Sequence, residues 1–212
     1  MRNLLYLLML FIAISSCKKE HTATLIYQDA LTTNDLTWTI DSTNYGVSKF
    51  DQGHYSIRSD SPVRIRYSFA PYANINFPYT VQVDGTTVLD NTSLLGSVAI
   101  VFNRVDSINY TVAEVWTNGT YRIWKKVNGT NSTLVNFTYN SAIQSYSGNK
   151  NTIKVIQNQS TMELQINNTS MGTFNISLPG QLVETGPAVS TAGSPTFTPV
   201  TGLFNNFSIW KN

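Results

Sequence analysis

Residues 110–127 read YTVAEVWTNGTYRIWKKV, which is the pattern of a β-hairpin. Asn118-Gly119 separates two runs rich in β-branched and aromatic residues, Tyr110–Trp116 and Tyr121–Val127. An Asn-Gly pair favours positive φ at both centres of a type I′ turn, the tight connection between two antiparallel strands. The sequence therefore predicts antiparallel β-structure in the middle of the chain.

The register of this hairpin decides which side chains share a face of the sheet. A two-residue turn predicts that Trp116 lies opposite Tyr121. One face would then carry Tyr110, Val112, Glu114, Trp116, Tyr121, Ile123, Lys125 and Val127. This face is richer in large apolar groups and is the predicted core. The other face would expose Trp124 between Arg122 and Lys126, and a slip of one residue would exchange the two faces.

Most of the remaining chain shows the same short β-branched and aromatic runs, separated by Gly, Asn, Asp and Pro. This pattern indicates an all-β sandwich or barrel, and no helix longer than a turn or two is predicted. Further strands are predicted at Tyr55–Arg58, Val63–Phe69, Tyr79–Val83, Val98–Arg104, Thr133–Thr138, Thr152–Gln157, Met162–Asn167, Thr173–Leu178 and Phe204–Trp210. The stretch Gly180–Pro199, rich in Gly, Pro, Ser and Thr, is predicted to be a long loop.

The N-terminus predicts export and lipidation. Arg2 precedes an apolar run, Leu4–Ile14, and two serines then lead to Cys17. A charged start, a short apolar stretch and small residues at the cut are the parts of a secretory signal. The run is shorter than the roughly 20 apolar residues that cross a bilayer. Cys17 is the only cysteine, so it has no disulfide partner; the alternatives are an ordinary signal with a chance cysteine or a buried free thiol.

The segment Ile14-Ser15-Ser16-Cys17 resembles the lipobox of bacterial lipoproteins, in which the cysteine is acylated after cleavage. Lys18-Lys19-Glu20 after it resembles lipoproteins of the Bacteroidota, which implies the cell envelope, at the outer membrane, facing either the periplasm or the outside. The predicted organisation is a signal peptide at 1–16, a lipidated N-terminus and linker at 17–34, and one β-sandwich domain at 35–212. Anchoring at Cys17 is the predicted membrane contact.

Composition excludes some classes of function. Only 12% of the 212 residues are charged, and the formal net charge is +2. That charge is too small to indicate a nucleic-acid partner. The sequence contains no phosphate-binding glycine loop, and we expect no cofactor.

Several segments in the predicted domain form an ordered set. They are Trp38, Gly53–Ile57, Val98–Arg104 with Asp106, Asn109-Tyr110, Asn118–Ile123, Asn128-Gly129, Asn151–Val155, Leu164–Asn167 and Phe204–Ile209. In this order and spacing they resemble the concanavalin A-like lectin/glucanase superfamily in its laminin-G-like form. The resemblance covers most of residues 35–212 and implies a jelly roll, an antiparallel sandwich of two sheets. Gly180–Pro199 departs from the family pattern. The fold alone does not fix an activity, because it hosts many functions.

The sequence gives little indication of a catalytic or metal site. Glycosidases need a pair of carboxylates, and the chain has no Glu-x-Asp-x-Glu strand, although Glu114, Glu163 and Glu184 could still meet across strands. His54 has no nucleophile motif to serve. The resemblance would allow a calcium site at Asp84, Asp90 or Asp106, but their spacing does not indicate one. We therefore predict no catalytic and no metal-binding residues.

Three hypotheses of function follow. The first is a non-catalytic, lectin-like lipoprotein that stacks a glycan on Trp124 and bonds it through Arg122 and Lys126. The alternative for Trp124 is that it packs beneath a loop or inside the sandwich. Tyr67, Tyr72 and Tyr79 are weaker candidates for stacking. The second is an accessory surface lipoprotein that binds an envelope protein of unknown identity through a flat apolar face. The third is a glycoside hydrolase with an unrecognised pair of carboxylates about 5–10 Å apart in a cleft.

Overall fold

A computed structural model describes residues 23–62, 65–72, 75–90, 95–176, 182–191 and 199–212. These residues form strands and no helix, and hence no helix that could cross a membrane. The strands are β1 Thr24–Asp29, β2 Asp41–Thr43, β3 Gly46–Asp51, β4 His54–Ser59, β5 Ile65–Tyr67, β6 Tyr79–Leu89, β7 Gly96–Asp106, β8 Asn109–Trp116, β9 Thr120–Val127, β10 Thr130–Tyr139, β11 Lys150–Gln157, β12 Thr161–Ile166, β13 Thr169–Asn175, β14 Glu184–Thr191 and β15 Val200–Lys211.

The strands form two antiparallel sheets that pack face to face. The large sheet has the order β13-β12-β11-β6-β15-β4-β3-β2, with β1 also paired to β15. The small sheet has the order β10-β9-β8-β7-β14-β5. The prediction of an all-β, two-sheet antiparallel sandwich is therefore confirmed.

The core lies between the two sheets, because alternate residues of each strand point inward. In β12, Met162, Leu164 and Ile166 are fully buried, while the residues between them are partly exposed. The predicted pairing of β11 with β12 is confirmed, with Ile153 opposite Ile166. Each fully buried aliphatic side chain stabilises the fold by about 1.5–3 kcal/mol.

The segment predicted as a linker, 17–34, contributes a strand. β1 pairs with the second half of β15, from Thr24 opposite Lys211 to Asp29 opposite Phe207. The Asp29 carboxylate then accepts hydrogen bonds from the Leu31 backbone N–H and the Trp38 indole, both at 2.7 Å. Since Leu31 and Trp38 are buried, the sandwich begins before residue 35. Residues 1–22, including Cys17, lie outside the described residues.

The prediction of a loop at Gly180–Pro199 is wrong for its central part. Glu184–Thr191 is β14, a strand between β7 and β5 whose last seven residues are buried. Gly186 and Pro187 favoured the prediction of a loop, but both residues are compatible with their positions in β14. The Pro187 carbonyl accepts a 3.1 Å hydrogen bond from the Ser68 N–H, just beyond the end of β5. The Ser68 and Phe69 backbone lies so close to Gly186 that no side chain would fit.

The predicted register of the central hairpin is also wrong, by one residue. Tyr121 lies opposite Val115, not Trp116. The loop therefore has three residues, Thr117 to Gly119, and of these only Gly119 takes a positive φ, of 81°. Such a loop is a type I turn followed by a left-handed residue. The Asn118 side chain instead accepts hydrogen bonds from the Thr120 N–H at 3.2 Å and hydroxyl at 2.7 Å.

The shift in register turns β8 over relative to the prediction. Ala113 and Val115 face the core, together with Tyr121 and Ile123 of β9. The other face of the small sheet, called here the outer face, carries Tyr110, Val112, Glu114 and Trp116 beside Arg122, Trp124 and Lys126. The predicted placement of the β9 residues holds, and the predicted placement of the β8 residues is reversed.

Candidate functional site

A groove of about 810 Å³ lies on the outer face of the small sheet. Side chains from β5, β8, β9, β10 and β14 line it, and Leu95 and Asn118 lie in loops at its border. The predicted site residues Arg122, Trp124 and Lys126 all line this groove. They occupy alternate positions of β9, so one strand presents all three to the same space.

Aromatic rings follow one another across the outer face. The centroid of Phe137 lies 5.4 Å from that of Trp116, and the centroid of Trp124 lies 5.7 Å from that of Tyr110. Tyr67 continues the second group, 5.9 Å from Tyr110. Edge-on contacts of this kind stabilise the pairs by about 0.5–1.5 kcal/mol beyond area burial. These five rings therefore pack against one another in two groups and are not separate exposed side chains; together they are called here the aromatic wall.

The prediction that Trp124 is an exposed aromatic is wrong. Trp124 is 8% exposed and Trp116 is 4% exposed, because neighbouring rings cover both. Phe137 is 51% exposed and lines the same groove. Phe137 is therefore the open aromatic surface of the groove, and the buried Trp116 packs against its ring.

Glu114 lies at the base of the groove with only 2% of its surface exposed. Its Oε1 accepts hydrogen bonds from the Trp124 indole and the Ser190 hydroxyl, both at 2.8 Å. Its Oε2 accepts a 3.2 Å bond from the Trp116 indole. Burial raises the pKa of the Glu114 carboxyl, because the charged form is poorly solvated there. The carboxyl ties three strands together and fixes both tryptophans.

The two cations of the groove sit against aromatic rings. The Arg122 guanidinium carbon is 5.2 Å from the centre of the Phe137 ring and 6.0 Å from that of Trp124. The Lys126 ammonium is 5.8 Å from the centre of the Tyr110 ring. Such contacts are worth about 0.5–1 kcal/mol at exposed sites. Both side chains are thereby held at the groove rather than free in solvent.

The three glutamates considered for catalysis do not meet. Glu163 lies in the large sheet, where it accepts a 2.9 Å hydrogen bond from Gln165. Glu184 pairs with Arg104 at the start of β14. Glu114 lies opposite Ala99 of β7, and Glu184 lies opposite Arg104 of the same strand. These two β7 residues are five positions apart, about 17 Å, which is well beyond the separation of glycosidase carboxylates. Among the described residues that line the groove, Glu114 is the one carboxyl.

The weaker stacking candidates are dispersed. Tyr79 is fully buried in the core, and its hydroxyl donates a 2.8 Å hydrogen bond to Asn103. The prediction that Tyr79 could stack a sugar is therefore wrong. Tyr72 lies away from the groove, with its ring 5.8 Å from that of Tyr27. Tyr67 belongs to the aromatic wall.

The polar residues considered for metal or catalysis have protein partners. Asp84 accepts hydrogen bonds from Thr152, Asn206 and Lys150. Burial alone would raise the pKa of the Asp84 carboxyl, but these donors together lower it. Asp90 pairs with Arg58, Asp106 accepts from the Ile108 N–H, and His54 bonds Asn205. In the described part of the chain no three His, Cys, Asp or Glu side chains form a group that could hold a metal.

Sequence reasoning missed Phe137 and Ser190. Phe137 lay within the predicted strand Thr133–Thr138, but strict alternation would have put it on the same face as Val135. The register of β10 shifts on both sides of Val135, so Val135 packs against the core while Phe137 lines the groove. Ser190 lay within the predicted loop, so nothing in the sequence placed it beside Glu114.

Comparison with known proteins supports the fold. No family model matches the chain, and a search of curated proteins finds no significant match. Among solved structures, the Emp47p carbohydrate recognition domain aligns with a TM-score of 0.63 and 11% identity, covering 89% of this chain and 97% of that one. The carbohydrate-binding module CBM66 from Bacillus subtilis aligns with a TM-score of 0.57 and 16% identity, covering 83% and 93%.

A third similar structure is the catalytic domain of an endo-1,3-β-glucanase, a laminarinase, from Thermotoga petrophila. It has a TM-score of 0.60 and 6% identity, and the alignment covers 90% of this chain and 98% of that one. At these identities the comparisons establish a shared fold. The chain therefore has the jelly-roll sandwich fold of these three structures.

Proposed function

We propose that the protein is a lipid-anchored component of the cell envelope that binds a glycan in the groove of the small sheet and does not cleave it. The observation that carries this proposal is the half-exposed ring of Phe137 beside the polar groups of Arg122, Asn131 and Lys126. Ligand sites combine apolar surface with a few directed polar groups in a concave space, and this groove places aromatic rings and polar side chains side by side. Structures named as a carbohydrate-binding module and a carbohydrate recognition domain share the fold.

In this proposal a sugar ring stacks on Phe137 and its hydroxyls bond the polar side chains of β9 and β10. Trp116 supports the platform from behind, and Glu114 holds the indole groups of Trp116 and Trp124 in place. Arg122, Trp124 and Lys126 therefore stay the proposed binding residues, with Trp124 as support and Phe137 as the contact surface.

Replacing Phe137 with alanine is expected to weaken glycan binding by a factor of about 2–13, because an aromatic contact is worth about 0.5–1.5 kcal/mol. The full chain would be held in a detergent without a sugar head group, such as dodecyldimethylamine oxide. A glycan array would identify ligands and calorimetry would give affinities.

The matched control is Tyr45→Ala, which removes an aromatic that is 54% exposed at the edge of the large sheet. We expect that change to leave binding unaltered. A folded protein that binds no glycan, or binds it equally well without Phe137, would contradict the proposal.

The hydrolase alternative is tested with the same ligands, since glucanases share the fold. Mass spectrometry of each bound oligosaccharide after long incubation should return it uncut. Shorter products, lost in a Glu114→Gln variant, would instead favour the hydrolase.

The lipid anchor has its own test. In a bacterial host, the chain should take up labelled palmitate and sediment with membranes, because acylation at Cys17 would supply the apolar contact with lipid. The Cys17→Ser variant is expected to lose the label and more than nine-tenths of its membrane association. Membrane association without any label would contradict lipidation at this cysteine.

A further inference from the structure

Arg122 differs from the other described arginines in forming no ion pair with a carboxylate. Arg58 pairs with Asp60, Arg66 with Asp41 and Arg104 with Glu184. No Asp or Glu oxygen among the described residues lies within ion-pair distance of Arg122, although it lines a groove in which a ligand would be surrounded by protein. Its positive charge is therefore available to a ligand.

The hydrogen-bonding capacity of Arg122 is also largely unused. Its Nε is buried and has no acceptor among the described residues. Its Nη2 donates to the Thr133 hydroxyl at 3.5 Å, the outer limit of a hydrogen bond. A guanidinium carries five N–H donors in a planar fork. Leaving a buried donor without an acceptor destabilises the protein, so an oxygen-rich ligand that accepts this hydrogen bond would recover stability there.

Lys126 adds a second unpaired charge on the same strand face. It lies four residues from Arg122, with Trp124 between them, so the two cations flank the centre of the groove. No ion pair of Lys126 forms within the described ranges. Glu114 lies opposite Arg122 in the sheet, but it is buried and its oxygens accept hydrogen bonds from the two indoles and the Ser190 hydroxyl, not from either cation.

We propose that the groove selects acidic glycans. Arg122 binds an anionic group on the sugar, and Lys126 binds a second anionic group or attracts the negative charge of the rest of the glycan. This inference rests on the proposed glycan-binding function and names its ligand class. The anionic group is a ring carboxylate or a sulfate ester, since both present paired oxygens that match the guanidinium fork. Lysine binds the same groups as a point charge, without the planar match.

The test compares acidic glycans with neutral counterparts of the same skeleton. The probes are oligogalacturonates against their methyl esters, and sulfated galactan oligosaccharides against the desulfated forms. Calorimetry on the full chain, in the same zwitterionic detergent, is expected to show at least one acidic probe binding tenfold or more tightly than its neutral counterpart. The preference should shrink between low and high salt, because ions screen exposed charge. The probe that binds decides between carboxylate and sulfate.

The outcomes separate this inference from the proposed function. A neutral counterpart that binds as tightly as the acid overturns the selectivity and leaves glycan binding intact. If no glycan binds to the folded protein, both fail.

Variants then locate the selectivity. Arg122→Gln and Lys126→Gln should each reduce the ratio of acidic to neutral affinity at least fivefold, while Arg122→Lys should keep part of it. The matched control is Lys154→Gln, which removes the same charge from the large sheet and should leave the ratio unchanged. If Arg122→Gln fails to fold, Lys126→Gln carries the test. A ratio that falls equally in the control would show a net-charge effect and overturn the assignment.

Discussion

Replacing Glu114 with alanine is expected to lower the free energy of unfolding by about 3–5 kcal/mol. The substitution removes the acceptor for the indoles of Trp116 and Trp124 and for the Ser190 hydroxyl, all of which are buried. It also leaves a cavity between β8, β9 and β14. Urea denaturation followed by tryptophan fluorescence measures the loss. Glycan affinity should fall with it, because the aromatic wall loses its support.

The control is Glu114→Gln, which keeps the shape but offers one acceptor oxygen. Burial raises the pKa of Glu114 above its usual value of 4.5, so the folded state holds this proton more tightly than the unfolded state. The resulting stability is fully present below about pH 4.5 and is lost as the pH rises through the folded-state value.

The stability advantage of the wild type over Glu114→Gln is therefore expected to shrink from acid to neutral pH. Denaturation midpoints across that range give the comparison. An advantage that grows with pH would show that the three donors lower the pKa more than burial raises it. An alanine variant as stable as the wild type would show that Glu114 does not hold the tryptophans.

The fold was readable from the sequence wherever local pattern and tertiary pairing agree. In β12, strict alternation of Met162, Leu164 and Ile166 predicted both the strand and its buried face, because a half-buried strand repeats every two residues. β1 was missed because its burial comes from β15, a strand almost two hundred residues away in sequence. Its own side chains carry little apolar alternation.

The site could be predicted only in part, because its composition depends on one turn. The Asn118-Gly119 pair fits either a two-residue or a three-residue hairpin loop, and the choice moves Glu114 and Trp116 from the core to the groove. The exposure of Trp124 was equally out of reach. It is set by neighbours on other strands, the Tyr110 ring of β8 and the other buried residues of the outer face, not by its own strand.

Gly186→Ala is expected to destabilise the protein by about 3 kcal/mol, which lowers the melting temperature by about 6–12 °C in a domain of this size. A Cβ at this position would lie 2.8 Å from the Phe69 Cα and still closer to the Ser68 carbonyl oxygen. Both are backbone atoms, so relief requires β14 to move away from the segment after β5. That movement would also carry Ser190 away from Glu114.

Gly129→Ala provides the contrast that identifies the cause. Gly129 has a φ of 81° and no atom near its missing side chain, so alanine there costs only backbone strain, about 1–2 kcal/mol. No positive φ is required at Gly186, so its larger cost would come from the close approach alone. Differential scanning calorimetry of the two variants decides the matter. Equal losses would mean that the Ser68 backbone does not press on β14, and the glycine would then be an ordinary strand residue.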